Sequence, residues 1–229
     1  HIVTGNHFFQ GDNDTLGERT AGIVFADAQA KTVFVGNYVD NAYLEWTNEH
    51  DGAPDFQSEF SFGGLQILGN IIFSSNVPSS YRPIHIKPFG QGHYINGMTV
   101  TGNNFKTIRG QSLERVDMVD TTYAELDYGR FTDVNVHSNT FQAVAKQFQN
   151  PVTVPVVVNT AAASWETDLA DYMPFKGRAK VVTAVLPDGA IRTGSNAAVW
   201  TMPYASGSIG ANGQSARVVW SEAVKGKVF

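Results

Sequence analysis

The sequence predicts an all-β protein: a parallel β-helix over residues 1–149, then a small antiparallel β module over 150–229 that caps it. Three observations carry this expectation. A Gly-Asn or Ser-Asn step recurs five times at near-constant spacing. The apolar residues before each step are spaced by two, the period of a strand. Composition agrees: Gly is plentiful at 22, and Val, Ile, Phe, Thr and Asn are prominent. Charged residues are only 16%, against roughly 25% in ordinary domains.

The five segments are "IVTGNHFF" (Ile2–Phe9), "TVFVGNYV" (Thr32–Val39), "LQILGNIIF" (Leu65–Phe73), "INGMTVTGNNFKTI" (Ile95–Ile108) and "VNVHSNTF" (Val134–Phe141). Aligned on Asn6, Asn37, Asn70, Asn103 and Asn139, they lie 31, 33, 33 and 36 residues apart. Three places before each Asn stand Val3, Phe34, Ile67, Val100 and Val136. Two places after stand Phe8, Val39, Ile72, Phe105 and Phe141. Gly, and to a lesser degree Asn, tolerates the left-handed backbone that bends a strand sharply. The unit is therefore strand, sharp bend, strand.

A period of this length indicates a solenoid, propeller or array. Helical repeats fail on the spacing of two, and Gly-Asn breaks helices. A propeller blade needs four strands and a longer period. Chance hairpins scatter in spacing and favour Asn-Gly over Gly-Asn. In a parallel β-helix each coil sits about 4.8 Å above the last, with equivalent positions stacked. The asparagines are then expected to form a ladder whose amides satisfy turn groups between coils. The residues surplus to a bare coil are assigned to loops at Gln10–Thr20, Glu49–Glu59, Ser74–Pro83 and Gly110–Arg130. Early coils expose Ile2, Val33, Val35 and Leu68 on the outward side, which predicts cover there.

The asparagine repeat stops near "QNPVTVPVVVNT" (Gln149–Thr160). The stretch Ala163–Gly177 is expected to hold one short helical turn. Alternating strands follow, joined by Pro-Asp-Gly and Gly-rich turns. An open β-helix end requires a cap, and this module is placed to supply one.

Net charge is −5, which argues against nucleic acid as the partner. The chain has no cysteine, so disulfides and thiolate metal sites are excluded. No apolar run is long enough to insert across a membrane. His7 and His137 fall at unmatched repeat positions, so no metal site follows, and no cofactor is expected. "SGSIGANG" (Ser206–Gly213) lacks Lys and a following helix, and reads as a turn. The sequence opens inside a repeat and closes in what reads as a strand, as a fragment of a longer chain does.

"TVFVGNYVDNAYLEWTNEH", "FSFGGLQILGN", "GHYINGMTVTGNNFKTI", "RVDMVDTTYAELDYGRF" and "VVWSEAVKGKVF" together resemble bacterial pectate-lyase-like right-handed β-helix proteins, related to glycosyl hydrolase family 28. Within these, the chain is most similar to the head-spike proteins of gene transfer agents and to phage tailspikes. The resemblance implies a right-handed coil and a homotrimer. It also implies an absent N-terminal part that anchors to particle or capsid proteins, and cell-surface capsular polysaccharide as ligand. The location it implies is the surface of a phage-like particle, assembled in the bacterial cytoplasm and extracellular after release. It carries over no catalytic motif.

Two stretches hold candidate chemistry. "LEWTNEHDG" (Leu44–Gly52) lies in a region, Thr32–Tyr81, that has carboxylates but no Lys or Arg. Glycoside hydrolysis needs two carboxylates about 5–10 Å apart, which Glu45, Glu49 and Asp51 are spaced to supply. Trp46 and His50 would face a sugar. The alternative is a solvated acidic loop with Trp46 packed inward. "YRPIHIKPFGQGHY" (Tyr81–Tyr94) offers Arg82, His85, Lys87 and His93 as a basic patch for an acidic polysaccharide. The alternative is a strand with Ile84 and Ile86 inside and His85 and Lys87 outside. Three functions compete: a receptor-binding spike that adheres to polysaccharide, a hydrolase or lyase that cleaves it, and a purely structural shaft.

Overall fold

The computed structural model describes residues 1–10, 22–26, 31–49, 61–78, 80–108 and 110–229. The chain divides into two compact units, His1–Pro151 and Val152–Phe229.

The first unit is a parallel β-solenoid. Its first coil runs through β1 (Ile2–Thr4), β2 (His7–Phe9) and β3 (Gly22–Phe25), and its second through β4 (Val33–Val35), β5 (Tyr38–Asp40) and β6 (Tyr43–Thr47). The third holds β7 (Gln66–Leu68), β8 (Ile71–Ser74) and β9 (Ile84–Lys87). The fourth holds β10 (Asn96–Thr101), β11 (Asn104–Thr107) and β12 (Asp117–Val119), and β13 (Thr132–His137) with β14 (Thr140–Gln142) begins a fifth. Three parallel sheets result, ordered β1-β4-β7-β10-β13, β2-β5-β8-β11-β14 and β3-β6-β9-β12. We refer to them as the first, second and third sheets.

The register is the one the repeat predicts. Val3, Phe34, Ile67, Val100 and Val136 are successive partners in the first sheet. Phe8, Val39, Ile72, Phe105 and Phe141 are partners in the second. From Phe34 to Val136 and from Val39 to Phe105 these stacks are buried, and the rings of Phe105 and Phe141 lie 5.3 Å apart, nearly parallel. Like residues stack because each coil repeats the same face in the same place.

The asparagines form the expected ladder. The backbone N–H and side-chain amide of Asn6 both donate to Asn37 Oδ1, at 3.0 and 3.2 Å. Asn37 does the same to Asn70, Asn70 to Asn103 and Asn103 to Asn139. Each later amide also donates to a carbonyl of the preceding coil, as Asn70 does to Phe34 at 3.0 Å. The bend itself is made one residue earlier. Gly5, Gly36, Gly69 and Gly102 have φ between +61° and +68°, and Ser138 adopts +56°. Labour is thus divided: glycine supplies the left-handed step and asparagine the bonds between coils.

Some loop expectations change. Gly110–Arg130 is not all loop: it contributes β12 and a single 3-10 turn, Tyr128–Arg130, capped by the Asp127 carboxylate. On the first sheet's outward side Val33, Val35 and Leu68 are half-buried, whereas Ile2 is exposed. After β14 the chain folds back on the last coil, where Asn150 N–H donates to the Val136 carbonyl at 2.7 Å.

The second unit is antiparallel. It comprises β15 (Val156–Asp168), β16 (Ile191–Thr193), β17 (Ala198–Val199), β18 (Tyr204–Ile209) and β19 (Ser215–Val228). The strand order is β15-β19-β16-β17, with β18 also on β19. Alternate residues of β19, including Val218, Trp220, Val224 and Val228, meet Trp165 and Ile191 in its core. The Trp165 indole donates to the Ala162 and Val224 carbonyls. The expected helical turn is instead an irregular turn at Pro174–Lys176, where Phe175 and Lys176 take left-handed φ of +51° and +55°, and Ala163–Asp168 completes β15.

Candidate functional site

The third sheet gathers most of the sequence-derived candidates, and burial decides between their two readings. Along β6, Leu44 and Trp46 point into the solenoid with Ile84 and Ile86 of β9, all at 0% exposure. Trp46 stacks on Phe25 at 5.2 Å. It is a core residue and offers no surface to a sugar. Glu45 and His85 occupy the other face as register partners on neighbouring strands. Tyr43 stacks on the His85 ring at 4.4 Å and 17°. Glu45 is itself buried. Burial pushes the His85 imidazole down to about 4, a shift the Arg82 backbone only partly offsets, so the ring is neutral at pH 7.

The proposed basic patch is internally neutralised. Arg82 donates to Glu114 at 2.7 Å, and Lys146 reaches the same carboxylate at 3.1 Å. Lys87 pairs with Asp120 at 3.1 Å and lies over the Tyr123 ring. His93 is fully buried, between Asn48 at 2.9 Å and the Phe89 carbonyl. It fixes a turn, and its ring cannot meet a ligand. Glu49 is half-buried in the turn after β6. His50 and Asp51 lie outside the described residues. Among the described residues no three His, Asp or Glu side chains come together as a metal site.

An accessible site lies on the outward face of the second sheet. Position follows from the ladder. The residues one and three places after each asparagine point away from the core. In the first two coils these are His7, Phe9, Tyr38 and Asp40, and Ile71 and Phe73 continue the stripe. His7 meets Tyr38 edge-on at 4.7 Å, and Tyr38 stacks loosely on Phe73 at 6.5 Å. Phe9 is 68% exposed. Gly5 and Gly36 form the floor at the bend, where an added Cβ would meet nothing within 4 Å. The result is a shallow recess with aromatic walls and one carboxylate.

Partial burial raises the Asp40 carboxyl above its ordinary range, although His7 opposes this. Burial and the Asp40 charge raise the Tyr38 phenol. These groups present ring faces, one acceptor and one hydroxyl side by side. Apolar C–H surfaces can stack there while neighbouring hydroxyls are bonded. The sequence already held the signal. The positions one and three places after each repeated asparagine spell His7, Phe9, Tyr38, Asp40 and Phe73 as one strip.

No family model, curated protein or solved structure matches the chain.

Proposed function

We propose that the solenoid is the adhesive shaft of a spike on a phage-like particle, holding cell-surface polysaccharide against the outward face of its second sheet. The recess built by His7, Phe9, Tyr38 and Asp40 carries this reading. It sets exposed rings beside a carboxylate on a rigid parallel sheet, the arrangement that holds sugar rings by their C–H faces and fixes them by their hydroxyls. The sequence resemblance supplies the particle context. An extended sheet face also suits a polymer, since each coil adds another row of contacts at about 4.8 Å.

Immobilised protein is expected to retain purified capsular polysaccharide without shortening it. Tyr38→Ala and Phe9→Ser should each weaken retention about tenfold, a loss of about 1.4 kcal/mol. Retention unchanged in both variants would reject the recess as the site. The enzymatic reading has one observation in its favour, the adjacency of Glu45 and His85 under cover on the third sheet. Falling polymer length in the same incubation, abolished by Glu45→Gln, would establish it.

A further inference from the structure

Three of the four tryptophans, Trp46, Trp165 and Trp220, are buried, whereas Trp200 is 87% exposed. It stands in the connection between β17 and β18, where Met202 follows at 80% exposure and Tyr204, two residues on, opens β18 at 70%. The residues flanking this connection show that it is not a displaced piece of core. Val199 and Ala205 already pack against the core cluster, and Tyr204 partners Val219 on the opposite face of the sheet. Three large apolar side chains are therefore held in water by a backbone anchored at both ends.

Two cations lie on the same sheet, nearest Trp200, with Lys225 six residues along β19 from Val219, the partner of Tyr204. Arg192 on β16 is the register partner of both Ala198 on β17 and Lys225 on β19. Trp200 is two residues beyond Ala198, one past the end of β17, at most about 7 Å further along the chain. Like charges directly opposite on neighbouring strands are unfavourable unless an anion joins them. Neither Arg192 nor Lys225 has a carboxylate partner among the described residues, whereas Arg217 and Lys227 on the same strand as Lys225 are paired with Glu166 and Asp188. The charge of the whole unit agrees. Residues 152–229 hold seven Lys and Arg against five Asp and Glu, while residues 1–151 hold nine against sixteen.

We propose that this part of the C-terminal unit docks on an anionic lipid surface. Trp200, Met202 and Tyr204 enter the interface between headgroups and acyl chains, and Arg192 and Lys225 meet headgroup phosphates. Trp and Tyr suit that depth because each has an apolar body and a polar tip. A sugar platform would set hydrogen-bonding side chains between its rings, and here Met202 stands between them. The docking is peripheral: no helix among the described residues is long and apolar enough to cross a membrane. It goes beyond the polysaccharide reading and is independent of it, since vesicles carry no glycan.

The test is sedimentation of the whole chain with vesicles of phosphatidylcholine alone and with added phosphatidylglycerol, read together with tryptophan emission. Because the other three indoles are already buried, a blue shift on binding reports Trp200. Binding is expected only with the anionic lipid, accompanied by the shift and weakened by salt. Trp200→Ser combined with Met202→Ser should abolish it. Arg192→Gln combined with Lys225→Gln should weaken it about 25-fold, about fivefold for each charge. All four side chains lie outside the core, and circular dichroism checks that the variants fold. Absence of vesicle binding, binding without the blue shift, or equal binding by the charge variant would overturn the proposal. So would retention of capsular glycan, without vesicle binding, that the same variants lose.

Discussion

Asn70 and Asn103 are joined twice: the Oδ1 of Asn103 accepts the backbone N–H of Asn70 at 3.0 Å and its side-chain amide at 2.8 Å. The two residues are 33 positions apart and both are buried. A bend that would otherwise leave polar groups inside the protein is satisfied by its own copy one coil away. The solenoid follows from this: a sequence that repeats the bend at the right interval has its best hydrogen bonds only when the coils stack in register.

The left-handed step can be tested apart from the ladder. At Gly36 an added Cβ meets nothing within 4 Å, so Gly36→Ala introduces backbone strain and no clash. It is expected to destabilise the solenoid by about 1–2 kcal/mol in urea unfolding. Ser138 already bears that strain at φ +56°, so Ser138→Gly should change stability little or raise it. Equal losses in the two variants would show that the φ values do not govern the bend.

How much the sequence disclosed depends on periodicity. The inward stacks through Phe34 and Val39 and the asparagine ladder were legible because an apolar residue recurs at each inward position and Asn at each bend. The outward strip was harder to read because its positions change chemistry from coil to coil: His7, Tyr38, Ile71, Asn104, Thr140. The candidates at Trp46 and His93 failed for another reason. Residue type suggested ligand contact, but burial is set by the fold: every residue of β6 is buried, Trp46 facing the core and Glu45 the covered outer side. Arg82 and Lys87 were legible as cations, whereas their partners Glu114 and Asp120 come from the next coil, 32 or 33 residues on.

His85 gives the solenoid a pH dependence. Its folded-state value is about 4, against an ordinary 6.5, so the unfolded chain binds a proton that the folded chain refuses between those values. Stability is present above pH 6.5 and is lost as pH falls towards 4, by up to about 3 kcal/mol. His85→Phe keeps a ring against Tyr43 and removes the proton. Its urea midpoint should fall less than that of the parent between pH 7 and pH 4.5. Parallel profiles would rule out His85 as the titrating group.

Arg115 and Asp117 form a buried two-point pair, with contacts of 2.9 and 3.1 Å. Asp117→Ala removes the two-point carboxylate partner of a buried guanidinium and is expected to cost about 3–5 kcal/mol. Arg115→Met combined with Asp117→Leu should cost less than that single change. A double variant as unstable as Asp117→Ala would mean that the pair itself, and not the removal of one partner from a buried charge, sets the loss.

The most direct measurement is a double-mutant cycle on the ladder, with Asn70→Ala, Asn103→Ala and the double variant compared by urea unfolding. Stacked coils require the two effects to be coupled, with an interaction energy of about 0.5–3 kcal/mol. Two losses that simply add would contradict the vertical register, and with it the shaft on which the proposed adhesive face is built.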